Sequence, residues 1–279
     1  LKHVVKQAAA VELTMKRVIG TAMFCFGLAL IAAGRAQDMM RHIDLSSPEM
    51  TSAEFTREDV ETALNGATST APADFTGKRL SGLDLSGLNL SGAIFRAARL
   101  NKTKLAGARL DHAVLDQAWL VEAELAGASL KGATLFASQM PRAHLDGADL
   151  AEARVAADLT GASLVGASIA NAHLGADMRN QSMGLMRTVL KSANLDRLNA
   201  RGADMSRVDL EFASLKGADL TGASLKGAQL GGADLSGITV VDTDFEGADL
   251  GSAKLIAPIG LDRAKNFHKA KNREHLIRK

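Results

Sequence analysis

An apolar residue returns at every fifth position from Phe75 to Leu255, and this period decides what the chain can become. The clearest run is Phe75, Leu80, Leu85, Leu90, Phe95, Leu100, Leu105, Leu110, Leu115, Leu120, Leu125, Leu130, Leu135, Met140, Leu145 and Leu150. Alanine sits two residues before most of them, as at Ala93, Ala98, Ala108, Ala113, Ala118, Ala123, Ala128 and Ala133. Five matches neither the 3.6 of an amphipathic helix nor the 2 of a half-buried strand. It demands a repeated backbone unit, hence a solenoid whose units stack on their neighbours. The apolar position and its alanine point inward, because they alone are regularly apolar. The other three positions carry Asp, Asn, Ser, Thr, Lys, Arg and Gly and face water. Glycine recurs two residues after the leucine, as in Ser86-Gly87, Thr160-Gly161 and Thr221-Gly222. It is the low-cost residue at a tight corner.

The unit reads Ala148-Asp149-Leu150, Ala193-Asn194-Leu195, Ala218-Asp219-Leu220, Ala233-Asp234-Leu235 and Ala248-Asp249-Leu250. It resembles the pentapeptide-repeat family, whose pattern is A(D/N)LXX, over roughly two thirds of the chain. The resemblance implies an all-β solenoid: a right-handed quadrilateral β-helix, four repeats to the square coil, closed by short terminal capping helices. At twenty residues per coil this makes about nine coils, roughly 40 Å of rod at about 4.8 Å per coil.

Composition agrees. Aromatics are 4% of residues and tyrosine is absent, which suits a Leu/Ala solenoid better than a compact globular core. The single cysteine, Cys25, excludes an intrachain disulfide framework and a Cys-rich zinc site.

The segments outside the repeat have their own signals. Residues 1–14 read as a leader upstream of the true initiator. Residues 15–36 read as a secretory signal peptide: basic Met15-Lys16-Arg17, an uncharged apolar run from Val18 to Ala33, then small residues before Gln37. An uncleaved membrane anchor is the rival, although the run falls short of the ~20 residues of a spanning helix. Cleavage places the product in a bacterial periplasm or outside the cell. It also removes five basic residues and one acidic, leaving 28 basic against 30 acidic residues. That balance offers no electrostatic footprint for nucleic acid.

Residues 37–72 link signal and solenoid. Thr56 is a suitable N-cap for a short helix, with acids in its first turn, Val60, Ala63 and Leu64 on one stripe, and Gly66 at its end. The repeat region spans 73–258. Residues 259–279 form a basic tail, in which Asp262 to Ile277 is expected as an amphipathic capping helix directing Leu261, Ala264, Phe267 and Leu276 at the rod. Dimerisation through this tail, or contact with an anionic surface, is its alternative use.

The register breaks twice. One residue is missing between Val155 and Leu159, and the pattern blurs over 175–189, where Met178, Met183, Leu185 and Met186 cannot all point inward. That stretch is either a distorted coil filled by adaptable methionines or a protruding loop, where binding is expected.

Twenty-residue spacing stacks outward side chains. Arg79, Arg99, Trp119 and Gln139 should form one ladder, allowing an Arg99–Trp119 cation–π contact. Asp84, Lys104, Glu124 and His144 should form another, with salt-bridge support worth little per pair. His144 and His173 fall on opposite sides and His112 on a corner, so they assemble no metal site. His268 and His275 alone are a weak metal signal. Neither a phosphate-cradling loop nor an HExxH helix is present.

The expectation is therefore a non-enzymatic scaffold or protein-interaction module needing no cofactor or metal. Its partner is another protein, with Arg99, Trp119, Met178, Met183 and Met186 as candidate contact residues. Nucleic acid is disfavoured as a partner on charge grounds, and a membrane is one only if the signal segment is retained. Some members of the family inhibit topoisomerases by mimicking DNA in the cytoplasm; that acidic, non-exported role is the alternative.

Overall fold

The structure, a computed structural model, describes residues 44–176 and 187–278. The expected signal segment, Met178, Met183 and Met186 lie outside these residues. The chain divides between Leu45 and Ser46, and the solenoid with both of its ends belongs to the second unit.

Each repeat forms one side of a square coil. The leucine points inward, the next two residues turn the corner, the alanine points inward, and the fifth residue sits on the flat face. Outside the two irregularities, the second corner residue has φ between about 48° and 74°, whether glycine (Gly87, 70°) or not (Lys102, 55°; Arg142, 57°). Positive φ at that position alone is the type II turn, and bonds such as Ala98 N–H to the Phe95 carbonyl close it at 3.0 Å.

Face residues pair in parallel with those one coil away. Arg79 meets Arg99, then Trp119, then Gln139; three further ladders run through Asp84, Asn89 and Asp74. The coils are joined through the backbone, as where Leu100 N–H donates to the Trp119 carbonyl at 2.6 Å and Arg99 N–H to that of Lys78 at 2.8 Å.

The interior is a leucine column beside an alanine column: Leu90, Leu110, Leu130, Ala108 and Ala128 are all buried. Removing each leucine side chain from water stabilises the coil by about 1.5–3 kcal/mol. Where Thr103, Thr188 or Thr243 takes the small position, the hydroxyl donates to a carbonyl of the preceding coil, Leu80 for Thr103 and Leu220 for Thr243. These three buried hydroxyls are thus satisfied, whereas Ser81 Oγ and Thr134 Oγ1 are buried without a hydrogen-bond partner.

The N-terminal end is closed by α1 (Pro48–Thr51) and α2 (Arg57–Asn65). Thr56 and Asp59 form a reciprocal capping box at the start of α2. Gly66 ends the helix in a right-handed conformation, at φ −83°, and not the left-handed one that glycine usually supplies. Val60 is fully buried, Phe55 packs edge-on to Phe75, and Arg57 donates to the Asp84 and Ser86 carbonyls. Leu83 and Leu88 replace alanine in this first coil and pack partly buried against the core.

Two irregularities interrupt the stack. The missing residue is absorbed by β1 (Thr134–Gln139) and β2 (Arg154–Asp158), where a bulge between Phe136 and Gln139 matches three steps of one strand to two of the other. Rung partners then lie 19 apart, as His144 and Ser163. In the next coil they lie 31 apart, as Asp158 and Val189, so eleven residues are added before the 20-residue step resumes at Val189 and Asp209. Thr188 marks the return, its Oγ1 2.7 Å from the Val155 carbonyl and 2.9 Å from that of Leu174.

The expected helix over 262–277 is not formed. Residues 259–277 make one further coil of six-residue sides, its rungs at Ile259, Lys265, Lys271 and Ile277. Left-handed Gly260, Asn266 and Asn272 each open a single 3-10 turn: Leu261–Arg263, Phe267–Lys269 and Arg273–His275. Asparagine tolerates the left-handed region that excludes most side chains. Leu261, Ala264, Phe267 and Leu276 do face the core, and Phe267 meets Phe245 edge-on at 5.4 Å.

Candidate functional site

With the interior filled, the outward ladders are what the described residues offer to another molecule. The Arg79–Arg99–Trp119–Gln139 ladder stands as the spacing predicts. The Arg99–Trp119 cation–π contact does not form. Arg99 turns back along the rod, its Nη1 3.4 Å from the Gly77 carbonyl. The cation–π contacts among the described residues are Lys78 over Phe55 and Lys191 over Phe212, each at 5.8 Å. The second ladder, Asp84, Lys104, Glu124 and His144, also stands. No salt bridge forms along it among the described residues; Asp84 faces Arg57 across the cap instead, at 3.8 Å. Equal rung spacing fixes the Cα positions, but long side chains remain free to choose partners off the ladder.

His144 and His173 fall on different ladders, and His112 takes a left-handed corner position. Among the described residues no group of three His, Cys, Asp or Glu side chains is placed to hold a metal. No helix among them is long and apolar enough to cross a membrane.

The Asp/Asn position has a role that its water-facing location hides. Its Oδ1 accepts the N–H two residues on, at the first corner residue: Asp84 from Ser86 at 3.0 Å, Asp158 from Thr160 at 2.9 Å and Asp219 from Thr221 at 2.9 Å. The corner N–H is thereby satisfied within its own turn. In several coils where serine or threonine holds the face position, a corner aspartate of the preceding coil does the same work. Asp116 accepts from Phe136 N–H at 2.9 Å, Asp146 from Val165 at 2.9 Å and Asp196 from Lys216 at 3.0 Å.

These bonds set the acid response of the surface. Burial works to raise the Asp219 carboxyl, but the Thr221 side chain and N–H and the Arg201 guanidinium outweigh it and hold the group below its ordinary range. Asp234 behaves alike, burial being outweighed by Ser236 and then by Lys254 and Lys216. The Ser86 hydroxyl and N–H lower exposed Asp84. A depressed carboxyl contributes its full stabilisation above the unfolded value, about 3.9, and loses it as pH falls through the folded one. Urea midpoints measured from pH 7 to pH 3 should therefore drop only at the acid end. Asp219→Ala, which orphans the Thr221 N–H, should cost about 1–3 kcal/mol at neutral pH. Asp219→Asn keeps an acceptor oxygen and should cost less. An acid-insensitive midpoint, or an alanine variant as stable as wild type, would contradict this role.

Most serines and aspartates on the surface are thus tied into turns, and what remains is a display of side chains at fixed spacing. The pentapeptide-repeat family model matches residues 73–111, 108–135, 185–222 and 223–256, in eight copies. Among solved structures, the chain is similar to HetL, a pentapeptide-repeat protein involved in heterocyst differentiation regulation in the cyanobacterium Nostoc. The two are 26% identical, over 80% of this chain and 95% of that one, with a TM-score of 0.41. It is also similar to trypsin-treated QnrB1, a plasmid-mediated fluoroquinolone resistance protein, at 19% identity over 71% of this chain and 83% of that one, with a TM-score of 0.37. A third likeness is to a pentapeptide-repeat protein of the Arabidopsis thaliana thylakoid lumen, at 18% identity over 64% of this chain and 77% of that one, with a TM-score of 0.22. A search of the curated proteins finds no match.

Proposed function

Since the chain belongs to the pentapeptide-repeat family and folds as a right-handed quadrilateral β-helix, we propose that it is an exported, non-enzymatic interaction module that binds another protein along one outer face. The observation that carries this reading is the set of four ladders. They hold unlike side chains at a constant rise over a core of leucine and alanine, which is a surface for recognition and not a cleft for chemistry. Export rests on the basic, apolar and small-residue order of residues 15–36. Removal of that segment leaves a chain near neutrality, a poor substitute for a polyanion such as DNA. This favours a protein-binding module over a DNA-mimicking topoisomerase inhibitor.

Fractionation of the native host followed by N-terminal sequencing tests the proposal. The product should begin at Gln37, or within a few residues of it, and be periplasmic. Purified protein should neither hydrolyse general ester, phosphate or peptide substrates nor inhibit gyrase at physiological salt. A cytosolic product that retains Met15 and inhibits gyrase would replace the proposal with the topoisomerase reading.

A further inference from the structure

We propose that Arg79, Arg99 and Trp119 form a receptor for a short, extended, carboxylate-bearing segment of a protein partner. This rests on the reading of the chain as a protein-binding module and adds the partner's chemistry.

Arg79 and Arg99 are direct rung partners, so their stems start about 4.8 Å apart. Like charges directly opposite in a ladder repel. One carboxylate answers them: Glu54 lies 3.7 Å from Arg79. Arg99 has no ion pair among the described residues, and its one side-chain hydrogen bond is the 3.4 Å contact to the Gly77 carbonyl. The Nε atoms of both arginines are buried without a hydrogen-bond partner. Farther along the rod, rung carboxylates do hold cations: Asp219 pairs with Arg201 at 2.8 Å, and Asp234 with Lys254 at 3.5 Å and Lys216 at 3.6 Å. The Arg99 guanidinium thus has no carboxylate partner among the described residues, and its planar fork suits an oxyanion taken by two bonds.

The surroundings choose among anions. Lys78 and Arg96 stand exposed beside the pair and add to the positive field. Glu54 and Asp74 flank the same patch, so a continuous phosphate backbone would meet repulsion within a coil or two. One or two carboxylates would not. Trp119, half-buried on the next rung, makes no ring contact among the described residues. It leaves an indole on the rung next to Arg99, whose guanidinium turns the other way, toward the Gly77 carbonyl. An extended peptide laid along the rungs directs every second side chain to the rod, about 6.6 Å apart. Because the Arg99 guanidinium turns back from its rung in this way, its separation from the Trp119 rung exceeds the rise of about 4.8 Å, and an acidic residue over it directs its second neighbour toward Trp119.

The chain has one tryptophan and no tyrosine, so intrinsic emission reports on this rung alone. Full-length protein is titrated with a non-aromatic hexapeptide of alternating Glu and Leu, its Gln isostere and its phosphoserine analogue. The Glu peptide should shift Trp119 emission saturably, weaken with salt, and bind at least tenfold more tightly than the Gln peptide. Arg99→Gln should weaken it at least tenfold at an unchanged melting temperature, Arg99→Lys should lose part of the affinity through loss of the fork, and Arg197→Gln, at a corner several coils away, should bind as wild type does. Equal binding of Glu and Gln peptides, no saturable shift, or wild-type binding by Arg99→Gln would overturn the receptor. A phosphoserine peptide bound tenfold more tightly than the Glu peptide would overturn the carboxylate assignment. Failure here combined with a periplasmic, partner-bound protein would remove this site and leave the interaction-module reading standing.

Discussion

Leu110→Asp is expected to break the rod in its middle. Leu110 is fully buried, with Leu90 and Leu130 one coil away on either side. A carboxylate there has neither water nor a cation to answer it, so it costs several kcal/mol or is forced to bind a proton. The conservative truncation Leu110→Ala should already cost about 2–5 kcal/mol through lost burial and the cavity left behind. Stability in a solenoid is close to a sum of neighbour interfaces, so a failed coil uncouples the stacks on both sides of it. Circular dichroism melts should show a large fall in midpoint, or two separated transitions, for the aspartate variant. A wild-type melt would mean that the leucine column is not the core.

Ala108→Leu is the complementary test. Ala108 is also fully buried and belongs to the column that keeps each coil narrow. A second large side chain in the same coil forces off-rotamer packing or spreads the backbone, at about 1–3 kcal/mol. Leu83 and Leu88 show where such a residue fits: in the first coil, beside α2 in place of a preceding coil. Ala108→Leu should therefore lower the melting midpoint, while Leu83→Ala should leave a void beneath the cap and lower it too. Two wild-type midpoints would dismiss the large-and-small pairing.

The leucine and alanine columns were legible in the sequence because inward residues keep a five-residue count from Phe75 to Val155, from Leu159 to Leu174 and from Leu190 to Leu255. The ladders followed from the same count, since four fives make a coil. Other features were hidden by a competing pattern. At the C-terminus Leu261, Ala264 and Phe267 are three apart, which imitates a helix face. The stronger signal was Gly260, Asn266 and Asn272 at intervals of six, each able to turn left-handed. The role of the Asp/Asn position was hidden by its exposure. Its trace is the recurrence of Ser or Thr two residues on, as in Asp84-Leu85-Ser86, Asp158-Leu159-Thr160 and Asp234-Leu235-Ser236, where the corner N–H returns to the carboxylate. Spacing placed Arg99 beside Trp119, yet it carried no information on which way a flexible guanidinium would turn. The candidate contacts Met178, Met183 and Met186 lie beyond the described residues, so the candidate surface rests on Arg79, Arg99 and Trp119.

The most direct measurement compares full-length protein with a variant carrying Arg79→Gln, Arg99→Gln and Trp119→Ala, each immobilised and exposed to periplasmic extract of the native host. Retained proteins are quantified across a salt series, and both baits are first shown to melt alike. Wild type should retain a saturable, salt-sensitive partner with an acidic segment, and the triple variant should lose it. The same partner retained equally by both baits would contradict the assignment of binding to this face.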